Sequence, residues 1–121
     1  MKIRIKGNTV RFRLTKSEVQ KLCETGEVEE RTEFDESFFS YSVIASDEQE
    51  ALHASFSEGR IMLHISNVLL RHWDTNEKVG FYHNQLLANG RELILTLEKD
   101  FVCMDQTAED QSDNYPNPKL M

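Results

Sequence analysis

KIRIKGNTVRFRLTKSEV, residues 2–19, carries the clearest secondary-structure signals of this 121-residue chain. Apolar and charged side chains alternate on both sides of Gly7-Asn8, a pair of residues that accepts positive φ in a two-residue turn. Pairing Lys6 with Thr9 aligns the flanking segments as antiparallel strands with one apolar face. The side chains on that face are Ile3, Ile5, Val10 and Phe12. The sequence therefore predicts a β-hairpin with one face in the core.

A helix follows directly, and both of its ends are marked. Thr15 and Glu18 form a T-x-x-E capping box, in which each side chain accepts a hydrogen bond from a backbone N–H that the first turn leaves unpaired. Gly26 supplies the left-handed residue that commonly ends a helix. We therefore predict a helix over 16–25. The residues on its apolar face are Val19, Leu22 and Cys23.

Further segments along the chain alternate or are rich in β-branched and aromatic residues, and turn residues separate them. The predicted strands among them cover residues 27–34, 37–45, 52–56, 61–65, 78–88 and 91–102. A short helix is predicted over 66–73. Strands joined by two or three residues cannot be parallel, so the short connections favour antiparallel pairing. We expect an α+β fold with a mainly antiparallel, curled or barrel-like sheet of about eight strands and two short helices.

The sequence indicates one domain followed by a polar tail. A length of 121 residues is enough for a single hydrophobic core. Every predicted helix and strand lies within 1–104, whereas 105–121 are polar and acidic and contain both prolines of the chain. We predict a single domain over 1–104 and a loosely ordered acidic tail over 105–121.

Charge is unevenly distributed along the chain. Residues 1–17 carry six cationic side chains and no acid, so the net charge of −7 leaves −13 for residues 18–121. Such an acidic protein is not expected to bind nucleic acid through its whole surface. No apolar stretch has the length of a signal peptide or a membrane span, and the two cysteines are eighty positions apart. We expect a cytoplasmic protein with reduced thiols and no membrane contact.

The hairpin register concentrates cations on one surface, here called the basic face. Its residues are Lys2, Arg4, Lys6, Arg11 and Arg13. Arg4 lies opposite Arg11, and like charges at opposed positions destabilise a sheet, so this face needs a counter-charge. The acidic tail can supply it, or the acidic segment that contains Glu27, Glu29 and Glu33, and we favour this internal source. A phosphate-bearing ligand, an acidic protein and solvent are the alternatives.

His53 and His64 form a second candidate site. A two-residue turn at Glu58-Gly59 would place the two imidazoles opposite each other on one sheet face, where they could share a metal ion. A three-residue turn with a glycine bulge would instead place His53 opposite Leu63. Only two ligands are visible, so we favour a solvent-facing histidine pair without a metal.

No pattern in the sequence meets the needs of catalysis. Glycine-rich phosphate loops, nucleophile elbows and H-E-x-x-H helices are absent from it. Cys103 is a candidate nucleophile, but the acids near it would raise rather than lower the pKa of its thiol. We predict no catalytic residue and no cofactor, and we interpret the chain as a small binding or protein-interaction domain. The alternative is a protein that binds or processes phosphate groups with the basic face, the acidic segment and a divalent metal.

A homodimer is one way to protect an unpaired strand edge. Phe38-Phe39-Ser40-Tyr41 carries no charge and no proline, which are the usual means of blocking an edge. We therefore expect either closure of the sheet into a barrel or pairing of two copies across this segment.

Two segments carry a family resemblance. The opening KIRIKGNTVRFRLTKSEV and the later LEKDFVCMDQTAEDQSDNYPNP, residues 97–118, resemble a family of small bacterial proteins classed as a domain of unknown function. The resemblance spans nearly the whole chain and implies a bacterial cytoplasmic protein with no assigned activity. Glu27, Glu29 and Arg31 are also similar to the E-x-E-x-K strand of the triphosphate-tunnel fold, with arginine in place of lysine.

Overall fold

The computed structural model describes residues 1–47, 50–101 and 113–115, which contain eight strands and two helices. The strands are β1 Lys2–Lys6, β2 Thr9–Leu14, β3 Glu27–Glu33, β4 Phe38–Ser46, β5 Leu52–Ser57, β6 Arg60–Ser66, β7 Gly80–Leu86 and β8 Glu92–Lys99. The helices are α1 Lys16–Thr25 and α2 Asn67–Leu70. Neither of these helices has both the length and the apolar character needed to cross a bilayer.

The opening of the chain has the local structure that its sequence predicts. Lys6 faces Thr9 in the hairpin of β1 and β2. In α1 the N–H of Thr15 donates to Glu18 Oε1 at 2.9 Å, as a capping box requires. Gly26 ends the helix at φ 87°, in the left-handed region. These local predictions are confirmed.

The eight strands form two four-stranded sheets. The first sheet has the order β1-β2-β8-β7, and the second has the order β3-β4-β6-β5. Within each sheet, two antiparallel hairpins join through a parallel pair, β2 with β8 and β4 with β6. Both sheets are therefore mixed, and within the described chain neither closes into a barrel.

The expected antiparallel, barrel-like sheet is thus only partly right. The α+β class holds, and the four hairpins each pair two consecutive strands antiparallel. The two parallel pairs instead link strands from different hairpins, and the packing of one hairpin beside another decides them. Turn signals act only between strands that are consecutive in sequence, so they carry no information about that packing.

The core lies between the two sheets, and α1 packs against it. The Phe12 ring of the first sheet meets the Tyr41 ring of the second sheet edge-on, with 6.4 Å between centroids. The Gln85 side chain also joins the sheets, because it accepts from the Ala54 N–H at 2.7 Å and donates to the Ala54 carbonyl at 3.1 Å. Phe12 is fully buried, and burial of a side chain of this size stabilises the fold by about 1.5–3 kcal/mol.

The sheet order corrects two expectations about strand edges. Phe38-Phe39-Ser40-Tyr41 is the start of β4, which is paired on both sides, by β3 and by β6. The expectation of a free edge is therefore wrong for Ser40 and Tyr41, whereas Phe38 and Phe39 are paired by β3 alone. Ile5, expected in the core, is more than half exposed because β1 is an edge strand of the first sheet.

The last hairpin, formed by β7 and β8, and helix α2 differ in length from the sequence predictions. The N–H of Leu87 donates to the Arg91 carbonyl at 2.8 Å, so the last hairpin has a longer loop in which Gly90 adopts φ +86°. The strands on either side of it are correspondingly shorter than predicted. Helix α2 ends at Leu70, short of the predicted 66–73, because the backbone of the next residue turns to an extended ψ of 126°.

The three described residues of the C-terminal tail contact the domain. The Ser17 hydroxyl donates to Asp113 Oδ2 at 2.5 Å, and the Lys16 N–H donates to the Asp113 carbonyl at 3.0 Å. The Tyr115 N–H donates to the Asp100 carbonyl at 2.8 Å. This part of the tail is held at the start of α1 and just beyond β8. The rest of the predicted tail lies outside the described residues.

Gly80 has no room for a side chain. A Cβ there would contact the Leu97 carbonyl oxygen and lie 2.9 Å from Glu98 Cα, both backbone atoms of the adjacent strand. We expect Gly80→Ala to lower the free energy of unfolding by about 2–3 kcal/mol through overpacking. Gly7→Ala is the control, since its Cβ would meet no atom within 4 Å and only the positive φ would cost about 1 kcal/mol. Urea denaturation measures both losses, and equal values would contradict the prediction.

Candidate functional site

The five cations of the basic face lie together on the outer surface of the first sheet. They emerge opposite the apolar residues of β1 and β2, because successive side chains in a strand alternate between faces. Arg4 faces Arg11 and Lys2 faces Arg13, as the sequence predicts. Like charges therefore meet at two positions, and each pair is stabilised only if carboxylates lie nearby.

Strand β8 and the residue that follows it supply carboxylates to three of these cations. It runs parallel to β2 and places Glu98 beside Arg13. Glu98 Oε1 lies 3.4 Å from Arg11 Nε and 3.9 Å from Arg13 Nε. Lys2 Nζ lies 3.0 Å from Oδ2 of Asp100, just beyond the end of β8. Acidic residues of the chain itself therefore neutralise this part of the basic face.

The acidic segment favoured as the source of these charges lies elsewhere. Glu27 and Glu29 belong to β3 in the second sheet, where Glu29 Oε2 lies 3.4 Å from Arg60 Nη2. Within the described chain, no ion pair joins β3 to the basic face. We favoured β3 as the source because it follows α1 directly in the sequence. In the structure, the strand beside β2 is β8, which pairs with it in parallel.

Positive charge is left at the end of the basic face near the hairpin turn. Arg4 and Lys6 are exposed, and they form no ion pair with any described residue. Together with Thr9 and Arg11 they line a groove of about 210 Å³. These two cations are therefore available to a negatively charged group from outside the domain.

The other half of the same sheet surface, here called the apolar half, exposes three large apolar side chains between polar residues of β7 and β8. Tyr82 on β7 is 60% exposed, Leu86 on β7 is 73% exposed, and Ile94 on β8 is also exposed. The register places Tyr82 in the same row across the sheet as Thr96 and Arg11. The outer surface of the first sheet thus has an exposed basic half beside an exposed apolar half.

His53 and His64 face each other across β5 and β6. Glu58 and Gly59 form the predicted two-residue turn, with φ of 50° and 74°, so the bulged alternative with His53 opposite Leu63 is wrong. The two imidazole centroids are 6.4 Å apart. His64 Nδ1 is buried and has no hydrogen-bond partner among the described residues. Within that part of the chain, no group of three or more His, Cys, Asp or Glu side chains could hold a metal ion.

A cavity of about 550 Å³ lies between the end of α1 and the segment after α2, and no sequence pattern indicates it. Its polar lining residues include Glu24, Asn67, Arg71, His72 and Asp74. The thiol of Cys23 also lines it and donates to the Leu70 carbonyl at 3.6 Å. Burial raises the pKa of Cys23, so this thiol is protonated near neutral pH and is a poor nucleophile. The other thiol, Cys103, lies outside the described residues.

Lys99 is buried, with only 4% of its surface exposed. Its Nζ donates to the Asn76 carbonyl at 2.7 Å and lies 5.7 Å from the Trp73 ring centroid and 4.9 Å from that of Tyr115. Burial lowers the pKa of Lys99. The sequence indicates that Lys99 points inwards, because it lies two residues after Leu97 and so continues the apolar row of β8.

Charge reversals at Arg11 and Arg4 should have different effects. Arg11→Glu places a second carboxylate beside Glu98, so we expect the free energy of unfolding to fall by about 1 kcal/mol at low salt. Arg4→Glu replaces repulsion with attraction towards Arg11, so we expect a gain of about 0.5 kcal/mol. Added salt should reduce both effects, since it screens exposed charges. Urea denaturation at two ionic strengths measures them, and equal losses would argue against Glu98 as the counter-charge.

Tyr115 allows a pH test of the contacts around Lys99. Burial raises the pKa of Tyr115 from 10.0 to about 12. Because the folded pKa lies above the unfolded value, the phenol stabilises the fold fully below pH 10.0 and loses that contribution as the pH rises towards about 12. We expect Tyr115→Phe to flatten the decline of the unfolding free energy in this interval. Parallel declines for the variant and the wild type, measured by urea denaturation at each pH, would disprove it.

Comparison with known proteins gives one match. No curated protein matches this sequence, and no solved structure matches it. One family profile covers residues 1–119, nearly the whole chain, and it confirms the resemblance to a domain of unknown function. The chain therefore belongs to the Family of unknown function (DUF7009).

Proposed function

We propose that this chain is a non-catalytic interaction domain that binds an acidic, partly apolar segment of a partner protein on the outer surface of the first sheet. The observation that supports this most directly is the state of Arg4 and Lys6. Both are exposed and form no ion pair with the described residues, although Glu98 pairs with the neighbouring Arg11. An acidic partner would supply the missing negative charge.

The size of the surface suits an extended partner. The basic face has two depressions, of about 210 Å³ and about 300 Å³, and both are lined by Arg4 and Arg11. The larger one only reaches the lower limit of the pockets that usually enclose small ligands, about 300–1,000 Å³. A polypeptide can instead cross several strands and contact both halves of the outer surface.

The apolar half of the surface provides contacts that charge alone does not. Tyrosine and arginine are enriched at the centres of protein interfaces, where they bury large areas. Tyr82, Leu86 and Ile94 are exposed beside the cations of β2. Charge would speed the encounter with the partner, and burial of these three side chains would stabilise the complex.

The alternative function, processing of phosphate groups with a divalent metal, has no comparable support. The basic face belongs to the first sheet, whereas Glu27 and Glu29 belong to the second. The described residues also contain no cluster of three or more potential metal ligands of the His, Cys, Asp or Glu type. Phosphate nevertheless shares the charge of an acidic peptide, so the two must be compared directly.

A peptide of alternating glutamate and leucine residues is a suitable probe of this surface. In an NMR titration, we expect it to shift the backbone signals of Arg4, Lys6, Tyr82 and Ile94. The double variant Arg4→Glu/Lys6→Glu should bind the peptide about tenfold more weakly, a loss of about 1.4 kcal/mol. Added salt should weaken wild-type binding, since it screens exposed charges.

The matched control is Lys21→Glu/Arg71→Glu, which reverses two exposed charges away from the first sheet and changes the net charge equally. Its affinity for the peptide should equal that of the wild type. Inorganic polyphosphate is the second probe. Shifts at the same residues with polyphosphate but not with the peptide would replace the proposed partner by a phosphate-bearing one. No shift with either probe, or equal losses in both double variants, would reject the surface as a binding site.

A further inference from the structure

The outer surface of the second sheet carries two imidazoles at a spacing suited to a metal ion. The ring centroids of His53 and His64 are 6.4 Å apart. Two imidazoles that bind one ion at about 2.0–2.1 Å from each nitrogen hold their ring centres about 5–6.5 Å apart. The observed spacing is near the wide end of this range, so an ion between the rings fits when one nitrogen of each ring points towards it.

Met62 brings a third donor to the same surface. It lies two residues before His64 on β6 and therefore points to the same side of the sheet. Its partner in the register is Ser55, two residues after His53 on β5. Diagonal neighbours on two paired strands are within reach of long side chains, so the Met62 thioether can approach an ion held by the two rings.

The buried ring nitrogen of His64 is an independent observation. His64 Nδ1 is shielded from solvent and has no hydrogen-bond partner among the described residues. A buried polar atom without a partner costs free energy, and few such atoms occur in folded proteins. Imidazole is also the commonest metal ligand in proteins, so ligation would satisfy a group that the fold leaves unused.

The residues around the pair favour a soft monovalent ion. On β4, the residue beside His64 is Ile44. In the register of β4, β5 and β6, no position adjacent to the two histidines on this surface holds a carboxylate. Hard divalent cations prefer carboxylate and other oxygen ligands, whereas thioether sulfur selects Cu(I). Two neutral imidazoles and one thioether form a ligand set without charge, which suits a monovalent ion.

We propose that His53, His64 and Met62 bind Cu(I) on the outer surface of the second sheet. All three ligands come from the hairpin of β5 and β6, so its register positions them before the ion arrives. The site does not depend on the basic face, which lies on the other sheet. Binding through either surface can therefore be tested without disturbing the other.

The test measures competition for Cu(I) between the full chain and the chelator bathocuproine disulfonate, under reducing and oxygen-free conditions. Cys23→Ser and Cys103→Ser are introduced first, because thiolates bind Cu(I) themselves. We expect this chain to withdraw one Cu(I) from the chelator. His53→Gln and Met62→Leu should each weaken the binding by about tenfold or more.

His83→Gln is the matched control, since this half-buried histidine lies on β7 and contacts Glu50 at 3.0 Å. It should leave the affinity for Cu(I) unchanged. Failure of the folded serine variant to take up Cu(I) would overturn the proposal. So would Zn²⁺ binding as tight as that of Cu(I) and insensitive to Met62→Leu. If the serine variant does not fold, wild type and His53→Gln are compared directly, because their thiol contribution is the same, and equal Cu(I) uptake would then overturn it.

Discussion

The parallel pairing of β2 with β8 holds the first sheet together and determines which residues meet on its two sides. It joins the opening hairpin to the closing one, and without it the first sheet would be two separate ribbons. The same register places Phe12 beside Leu97 on the inner side and Arg13 beside Glu98 on the outer side. A shift by one residue would turn the Glu98 carboxylate towards the core and remove the counter-charge of the basic face. One pairing therefore fixes the packing and the electrostatics together.

The sequence predicts the features of the fold that depend on residues close together in the chain. The registers of the first three hairpins, the capping box at Thr15 and the turn at Gly59 each involve two to four neighbouring positions, and each has a specific backbone requirement. The last hairpin is the exception, because its loop is longer than its turn residues predict. The arrangement of the sheets involves hairpins separated by many residues, which no local pattern constrains. The aromatic start of β4 illustrates the limit: its composition fits an unprotected edge as well as it fits a central strand, and only the tertiary arrangement decides between them.

The candidate sites show the same limit. Alternation along β1 and β2 is enough to place five cations on one surface, but their carboxylate partners come from a strand that sequence distance does not suggest. Alternation also places Lys99 towards the interior, yet its carbonyl acceptor, Asn76, and the rings of Trp73 and Tyr115 lie outside the sheets. The facing histidines were predictable because one short turn determines their register.

The two sheets differ in how much of the chain each requires. The second sheet uses only residues 27–66, whereas the first needs residues 2–14 together with 80–99. During synthesis on the ribosome, β3 to β6 can therefore assemble while β1 and β2 still lack their neighbour, and closing so long a loop is slow. Until then the nascent hairpin carries its cations without Glu98 and Asp100.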